Sequence, residues 1–233
     1  MGVLFLPVIL FGVIFLSTEL IRNMGKNFDQ SVSFALSSGS FLIAAVLYLL
    51  LTGKAKGMLS FLRLRHFRLR HILYGLGGAV GAYALAIIVG QLVFYINQLS
   101  GAQAEQGQNG TTEAIGGLSQ HHSILLLGFL IAFLAPLGEE LFFRGAMLGS
   151  LVQESQSKWL RAGSILLVTA FFALAHFQSP TGTVSDLLAM LVPAMVGLTA
   201  AVLRLRFDSL YPAIFTHMFY NGFVLVIITA GAS

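Results

Sequence analysis

Residues 124–147 read Ile-Leu-Leu-Leu-Gly-Phe-Leu-Ile-Ala-Phe-Leu-Ala-Pro-Leu-Gly-Glu-Glu-Leu-Phe-Phe-Arg-Gly-Ala-Met. This apolar run is long enough to cross a bilayer, yet it carries Glu139, Glu140 and Arg144. A hydrocarbon core of about 30 Å calls for about 20 apolar helical residues. Ionisable groups at that depth are costly unless they pair or meet water, so they mark a functional site. Further along, Phe172-Ala-Leu-Ala-His176 and His217-Met-Phe-Tyr-Asn221 add two imidazoles and an amide in equally apolar surroundings.

The whole chain has the same character. Of its 233 residues, 57% are hydrophobic and 9% charged, and the mean hydropathy is +0.86. Ordinary soluble domains do not have this composition, so the expected class is an integral membrane protein. With no cysteine, disulfides, thiolate metal sites and a cysteine nucleophile are excluded. Chemistry must come from carboxylate, imidazole or hydroxyl groups. The net charge of +4 does not point to nucleic acid, because the cations gather in one short connector beside apolar segments.

Seven apolar windows stand out, at about 3–21, 33–52, 72–97, 122–150, 161–179, 185–203 and 210–231. They predict an all-α, polytopic transmembrane bundle of about seven helices, six to eight, forming one membrane domain. Residues 1–121 supply the N-terminal helices and residues 122–231 the catalytic core. No basic region precedes the first apolar run, so the first window is expected to be a span and not a cleaved signal. No internal repeat points to transporter architecture.

The connector 53–71 holds Lys54, Lys56, Arg63, Arg65, Arg68 and Arg70, while 98–121 holds no Lys or Arg. The positive-inside rule then makes the first cytoplasmic and the second external, with a cytoplasmic N-terminus. Lys158, Arg161, Arg204 and Arg206 fall on the same side, and only Arg22 and Lys26 do not. Segment 98–121 is Gly- and Gln-rich and is expected to be mobile. Segment 53–71 mixes apolar and cationic residues. It is read either as a surface lying against anionic lipid or as a solvated connector that only sets topology.

On a helix each residue turns by about 100°, which leaves Glu140 and Arg144 about 40° apart, one turn from each other, and able to pair. Glu139 points elsewhere and is the carboxylate free to work. Partial desolvation suits such a group to general acid–base chemistry near neutrality. Pro136 lacks an N–H and is expected to disturb the helix beside the acids. Phe172 and His176 share a helix face, as do His217 and Asn221. An imidazole can orient water or carry a proton, and His and Asn side chains can donate to an oxyanion. Phe172 is expected to shape the pocket or orient His176. Pro212 marks a helix start.

Three strings, Glu139-Glu-Leu-Phe-Phe-Arg144, Phe172-Ala-Leu-Ala-His176 and His217-Met-Phe-Tyr-Asn221, the last preceded by Asp208-Ser-Leu-Tyr-Pro212, occur in this order. Together they resemble the CPBP family of CAAX prenyl endopeptidases and bacteriocin-processing enzymes, over about residues 122–226. The resemblance implies an intramembrane endopeptidase opening toward the cytoplasm and acting on membrane-associated peptides or proteins in the bilayer. It implies that Glu139 activates water with His176, that Glu140 and Arg144 hold the site, and that His217 and Asn221 stabilise the oxyanion.

A metal-free water is the preferred reading. The His-Glu-x-x-His pattern is absent, but Glu139, His176 and His217 remain candidate ligands for zinc or another divalent cation. A catalytically silent scaffold or bacteriocin-immunity protein, and an ion or metal transporter, stay open as other classes. The compact length fits a prokaryotic plasma (inner) membrane. The sequence is silent on oligomeric state.

Depth poses a problem. At about 1.5 Å per residue, His217 lies one or two turns from the predicted cytoplasmic end, Glu139 about three and His176 about four. Tilted helices or a later start of the fifth span are expected to bring them level.

Overall fold

A computed structural model describes residues 6–16, 30–100, 128–153, 157–177 and 184–231. These form eight helices and no strand: α1 (Leu6–Leu16), α2 (Gln30–Leu51), α3 (Met58–Phe61), α4 (Arg70–Ser100), α5 (128–153), α6 (Lys158–Ala175), α7 (Val184–Arg206) and α8 (Tyr211–Gly231). The seven longer ones fall on the seven apolar windows, so the all-α helical bundle is the observed class. Residues Arg70–Ile96 and Lys158–Ala175 are each long and apolar enough to cross a membrane. Gly39–Leu51 with Ala55–Phe61 makes a third apolar unit, bent by 109°. Of the expected external loop, 101–121 lies outside the described residues, as do Arg22 and Lys26.

The bend has a local cause. At the end of α2, Gly53 adopts φ +68°, the Lys54 N–H donates to the Leu49 carbonyl and the Gly53 N–H to the Leu50 carbonyl. This is a Schellman cap, which satisfies the last carbonyls and reverses the chain. The same pattern closes α3, where Leu64 N–H donates to Leu59 and Arg63 N–H to Ser60. There the left-handed residue is Arg63, at φ +58°, a conformation that costs a side-chain-bearing residue about 1–2 kcal/mol. An ion pair from Arg63 to Asp208 at 3.2 Å and the Leu210 N–H donated to the Arg63 carbonyl at 3.2 Å offset that strain.

The two sequence halves interleave. On one side α2 lies along α5, where Phe41 meets Phe142 and Phe143 at ring separations of 5.8 and 5.2 Å. On the other, α4 lies along α7 and α8 through the small residues Gly75, Gly78, Ala79 and Ala82. A Cβ on Gly75 would collide with the Phe215 backbone and Cβ, and one on Gly78 with Thr216. Small residues let two helices approach closely where hydrophobic sequestration from water contributes nothing.

The level of the helices is set at Leu210. A Cβ on Gly145 of α5 would lie 3.5 Å from Leu210 and 2.7 Å from Leu62, so α8 begins partway along α5. Glu139 lies about 9 Å along α5 from Gly145, and His217 about 10 Å along the chain from Leu210. The two meet because α8 starts deep. The fifth span does not start late: α6 begins at Lys158, three residues before the expected 161.

Gly75→Ala is expected to destabilise the protein by about 1–3 kcal/mol, because the clash is with backbone and no rotamer relieves it. Gly77→Ala and Gly81→Ala, which meet nothing within 4 Å, should instead stabilise α4 by about 0.5–1 kcal/mol. Thermal unfolding of the three variants in one detergent measures the contrast.

Candidate active site

The acids lie on a helix that changes its winding. Within α5, Leu130–Leu134 and Leu141–Met147 are π-helical and flank the α-helical Ala135–Glu140. Pro136 falls at the start of that middle segment, and its missing N–H leaves the Ile131 carbonyl, one π turn back, without a helical donor. The disturbance expected of Pro136 thus takes the form of a π turn just before it, and the helix runs on without a break. Wider turns of this kind recur at functional sites because they re-aim side chains and loosen the backbone ladder.

Glu140 and Arg144 form the pair that their spacing predicts. Arg144 Nη1 donates to Glu140 Oε1 at 2.7 Å, and both side chains are 0% exposed. A second donor reaches the same oxygen from α8: His217 Nδ1 lies 3.0 Å from Glu140 Oε1. The rest of the guanidinium lies over the Phe172 ring, 4.2 Å from its centroid. Gly197 of α7 makes room for it, since a Cβ there would come within 3.0 Å of both Arg144 Nη2 and Phe172.

Glu139 turns away from this pair, as expected of the free acid. Its Oε2 lies 3.7 Å from His176 Nε2 and 3.9 Å from His217 Nε2, and it has no hydrogen-bond partner among the described residues. The His176 ring is held by its other nitrogen, as Nδ1–H donates to the Phe172 carbonyl at 2.8 Å. Phe172 therefore orients His176 through its backbone and packs against it with its ring, 4.5 Å between centroids. At the end of α6, His176 takes the C-cap position, which points its free Nε2 out of the helix and toward α5 and α8.

Asn221 lies one turn beyond His217. Its Nδ2 donates to the Ile131 carbonyl in the first π turn at 2.9 Å, so one amide N–H ties α8 to α5 and one remains. A cleft between α6, α7 and α8 is lined by His176, His217 and Asn221 on one wall and by Val192, Pro193 and Val196 on another. Together with its open mouth it holds about 400 Å³, room for one or two side chains of an extended segment.

The residues singled out in the sequence, namely Glu139, Glu140, Arg144, Phe172, His176, His217 and Asn221, are thus brought together, with Phe172, His176, His217 and Asn221 lining the cleft and the acids and Arg144 behind them. Gly197 and the Ile131 carbonyl were not anticipated. A lone glycine inside an apolar helix was the only sequence signal for the first. A backbone acceptor has none. Among the described residues, no group of three His, Asp or Glu side chains is placed to hold a metal ion. No step below is routed through a metal.

Residues 121–223 match the family model described as type II CAAX prenyl endopeptidase Rce1-like. The C-terminal part of the chain resembles this family. No curated protein and no solved structure matches the chain. The Rce1-like region contains every residue of the site and stops just past Asn221. The match supports intramembrane peptidase activity in general. Together with the long apolar helices α4 and α6, it makes the chain an integral membrane protein.

The buried pair in this Rce1-like region makes a stability prediction. Removing one partner strands the other charge at 0% exposure, which costs about 3–5 kcal/mol. Arg144→Ala and Glu140→Ala should each lower the unfolding free energy by that order, read by thermal or chemical denaturation in detergent. Wild-type stability in both would contradict the pairing.

Proposed function

We propose that the protein is an intramembrane endopeptidase that hydrolyses peptide bonds of membrane-associated peptides or proteins with a water activated by Glu139 and His176. The observation that carries this reading is the convergence of one carboxylate oxygen and two imidazole nitrogens. Glu139 Oε2 lies 3.7 and 3.9 Å from the Nε2 atoms of His176 and His217. These gaps are too long for direct hydrogen bonds, and three polar atoms that converge in this way are the partners an attacking water needs.

The chemistry follows from the nitrogens. With Nδ1–H given to the Phe172 carbonyl, His176 presents a lone pair on Nε2. Glu139 takes one proton of the water and His176 accepts a hydrogen bond from the other, while the water oxygen attacks the substrate carbonyl carbon. The oxyanion that forms is met by the second N–H of Asn221 and, in the doubly protonated form of His217, whose Nδ1–H is given to Glu140, by its Nε2–H. The proton held by Glu139 passes to the leaving amine as the C–N bond breaks.

The apolar wall of Val192, Pro193 and Val196 would receive a hydrophobic side chain beside the scissile bond. The cationic connector before α4 supports a cytoplasmic N-terminus and a site mouth on the same side, in a prokaryotic plasma membrane.

The test is turnover of candidate membrane peptides in liposomes. Glu139→Gln keeps size and hydrogen bonding but removes the base, so cleavage should vanish while the Kd for substrate peptide and the thermal midpoint stay near wild type. His176→Ala should behave alike. Full cleavage by Glu139→Gln would dispose of the mechanism. Stoichiometric zinc in the wild type, lost in His217→Ala, would replace the metal-free water with a metal-bound one.

A further inference from the structure

Between α2 and α4 the chain folds into a cap with two unlike sides. On its inner side, Leu62 is 1% exposed and rests against Gly145 of α5, and the Phe61 ring lies 3.5 Å from where a Gly149 Cβ would be. The Leu64 carbonyl accepts Tyr211 Oη–H at 2.8 Å, and the Arg63 carbonyl accepts the Leu210 N–H. A connector that only set topology would not be held in this way.

The outer side is apolar and cationic at once. Met58, Leu59, Phe67 and Leu69 are exposed, Leu69 by 77%, and Lys56, Arg65, Arg68 and Arg70 are exposed among them. No Asp or Glu occurs between Asp29 and Glu105. Arg63 is engaged by Asp208, whereas among the described residues none of the other four cations meets a carboxylate.

The position of this face decides what covers it. Along α4 the exposed residues Leu73, Leu76 and Val80 continue the stripe that starts at Leu69, and along α2 Leu47, Leu50 and Leu51 run up to the bend. Both hydrocarbon-facing stripes stop at the cap. Its outer side is therefore level with lipid headgroups, where apolar residues enter the acyl boundary and cations meet phosphate.

We propose that residues 54–70 form a binding surface for anionic phospholipid, and that lipid held there steadies the catalytic helices. The occupant is the bilayer itself: a soluble acidic partner or a nucleic acid would leave the exposed leucines and Phe67 unmatched. Coupling to the site is short. Gly145 follows Arg144, and His217 lies less than two turns beyond Tyr211, so fixing the cap fixes the depth at which α5 and α8 meet.

The test uses the full chain in dodecylmaltoside, titrated separately with phosphatidylglycerol, phosphatidylcholine and inorganic phosphate, with the thermal midpoint as readout. Phosphatidylglycerol alone should raise the midpoint, with an apparent affinity that falls about fivefold for each cation removed and weakens with salt. Arg68→Gln should show the single step, and the combined Lys56→Gln, Arg65→Gln, Arg68→Gln, Arg70→Gln chain no lipid-dependent shift. Equal responses to phosphatidylglycerol and phosphatidylcholine, a shift with free phosphate, or an undiminished response in both variants would overturn the proposal.

A second arm, which rests on the protease reading, measures cleavage in nanodiscs with and without phosphatidylglycerol. Turnover should rise several-fold with anionic lipid in wild type and stay flat in the combined variant. Glu139→Gln should keep the midpoint shift, so loss of cleavage with an intact shift counts against the protease and not against the lipid surface.

Discussion

One carboxylate oxygen holds the site together. Glu140 Oε1 accepts from Arg144 on its own helix at 2.7 Å and faces His217 Nδ1 of α8 at 3.0 Å. Both interactions are fully buried, so each is strong, and neither charge has water to fall back on. The first bond holds the guanidinium over Phe172, which in turn orients His176. The second fixes the His217 ring, so that its Nε2 is aimed at Glu139. Three helices are thereby referred to a single atom, and the neighbouring acid is left free. Two adjacent glutamates on one helix can have opposite duties because successive side chains diverge by about 100°.

The π turns on either side of Ala135–Glu140 belong to the same design. A wider turn leaves carbonyls without their usual i+4 donors, and Asn221 answers one of them at Ile131. Asn221 thus joins α8 to α5 one turn beyond His217, and it retains an N–H for the cleft. Close packing elsewhere serves this junction. Gly197 admits the guanidinium, and the small face of α4 lets α8 approach along its length.

What was legible in the sequence was local. The i,i+4 relation of Glu140 and Arg144, the shared faces of Phe172 with His176 and of His217 with Asn221, and the helical windows all follow from period and composition. Contacts between distant segments were not legible. Nothing near His217 says that its Nδ1 meets a carboxylate 77 positions away. Nothing near Phe172 says that its carbonyl, not its ring, orients the histidine. The depth mismatch expected among His217, Glu139 and His176 came from assuming that α8 starts at the end of α5. For His217 and Glu139 it vanishes once Leu210 is placed beside Gly145. Only the first reversal of the cap between α2 and α4 falls on a glycine, Gly53; the second uses Arg63 in a left-handed conformation, where a glycine would have announced the turn.

The most direct test is a double-mutant cycle on the shared oxygen. Unfolding free energies are measured in detergent for wild type, Glu140→Gln, His217→Gln and the double variant. A carboxylate that serves as the common partner of α5 and α8 predicts a coupling energy of about 1–3 kcal/mol between the two sites. Effects that add within about 0.5 kcal/mol would mean that His217 is not held by Glu140, and would contradict the account.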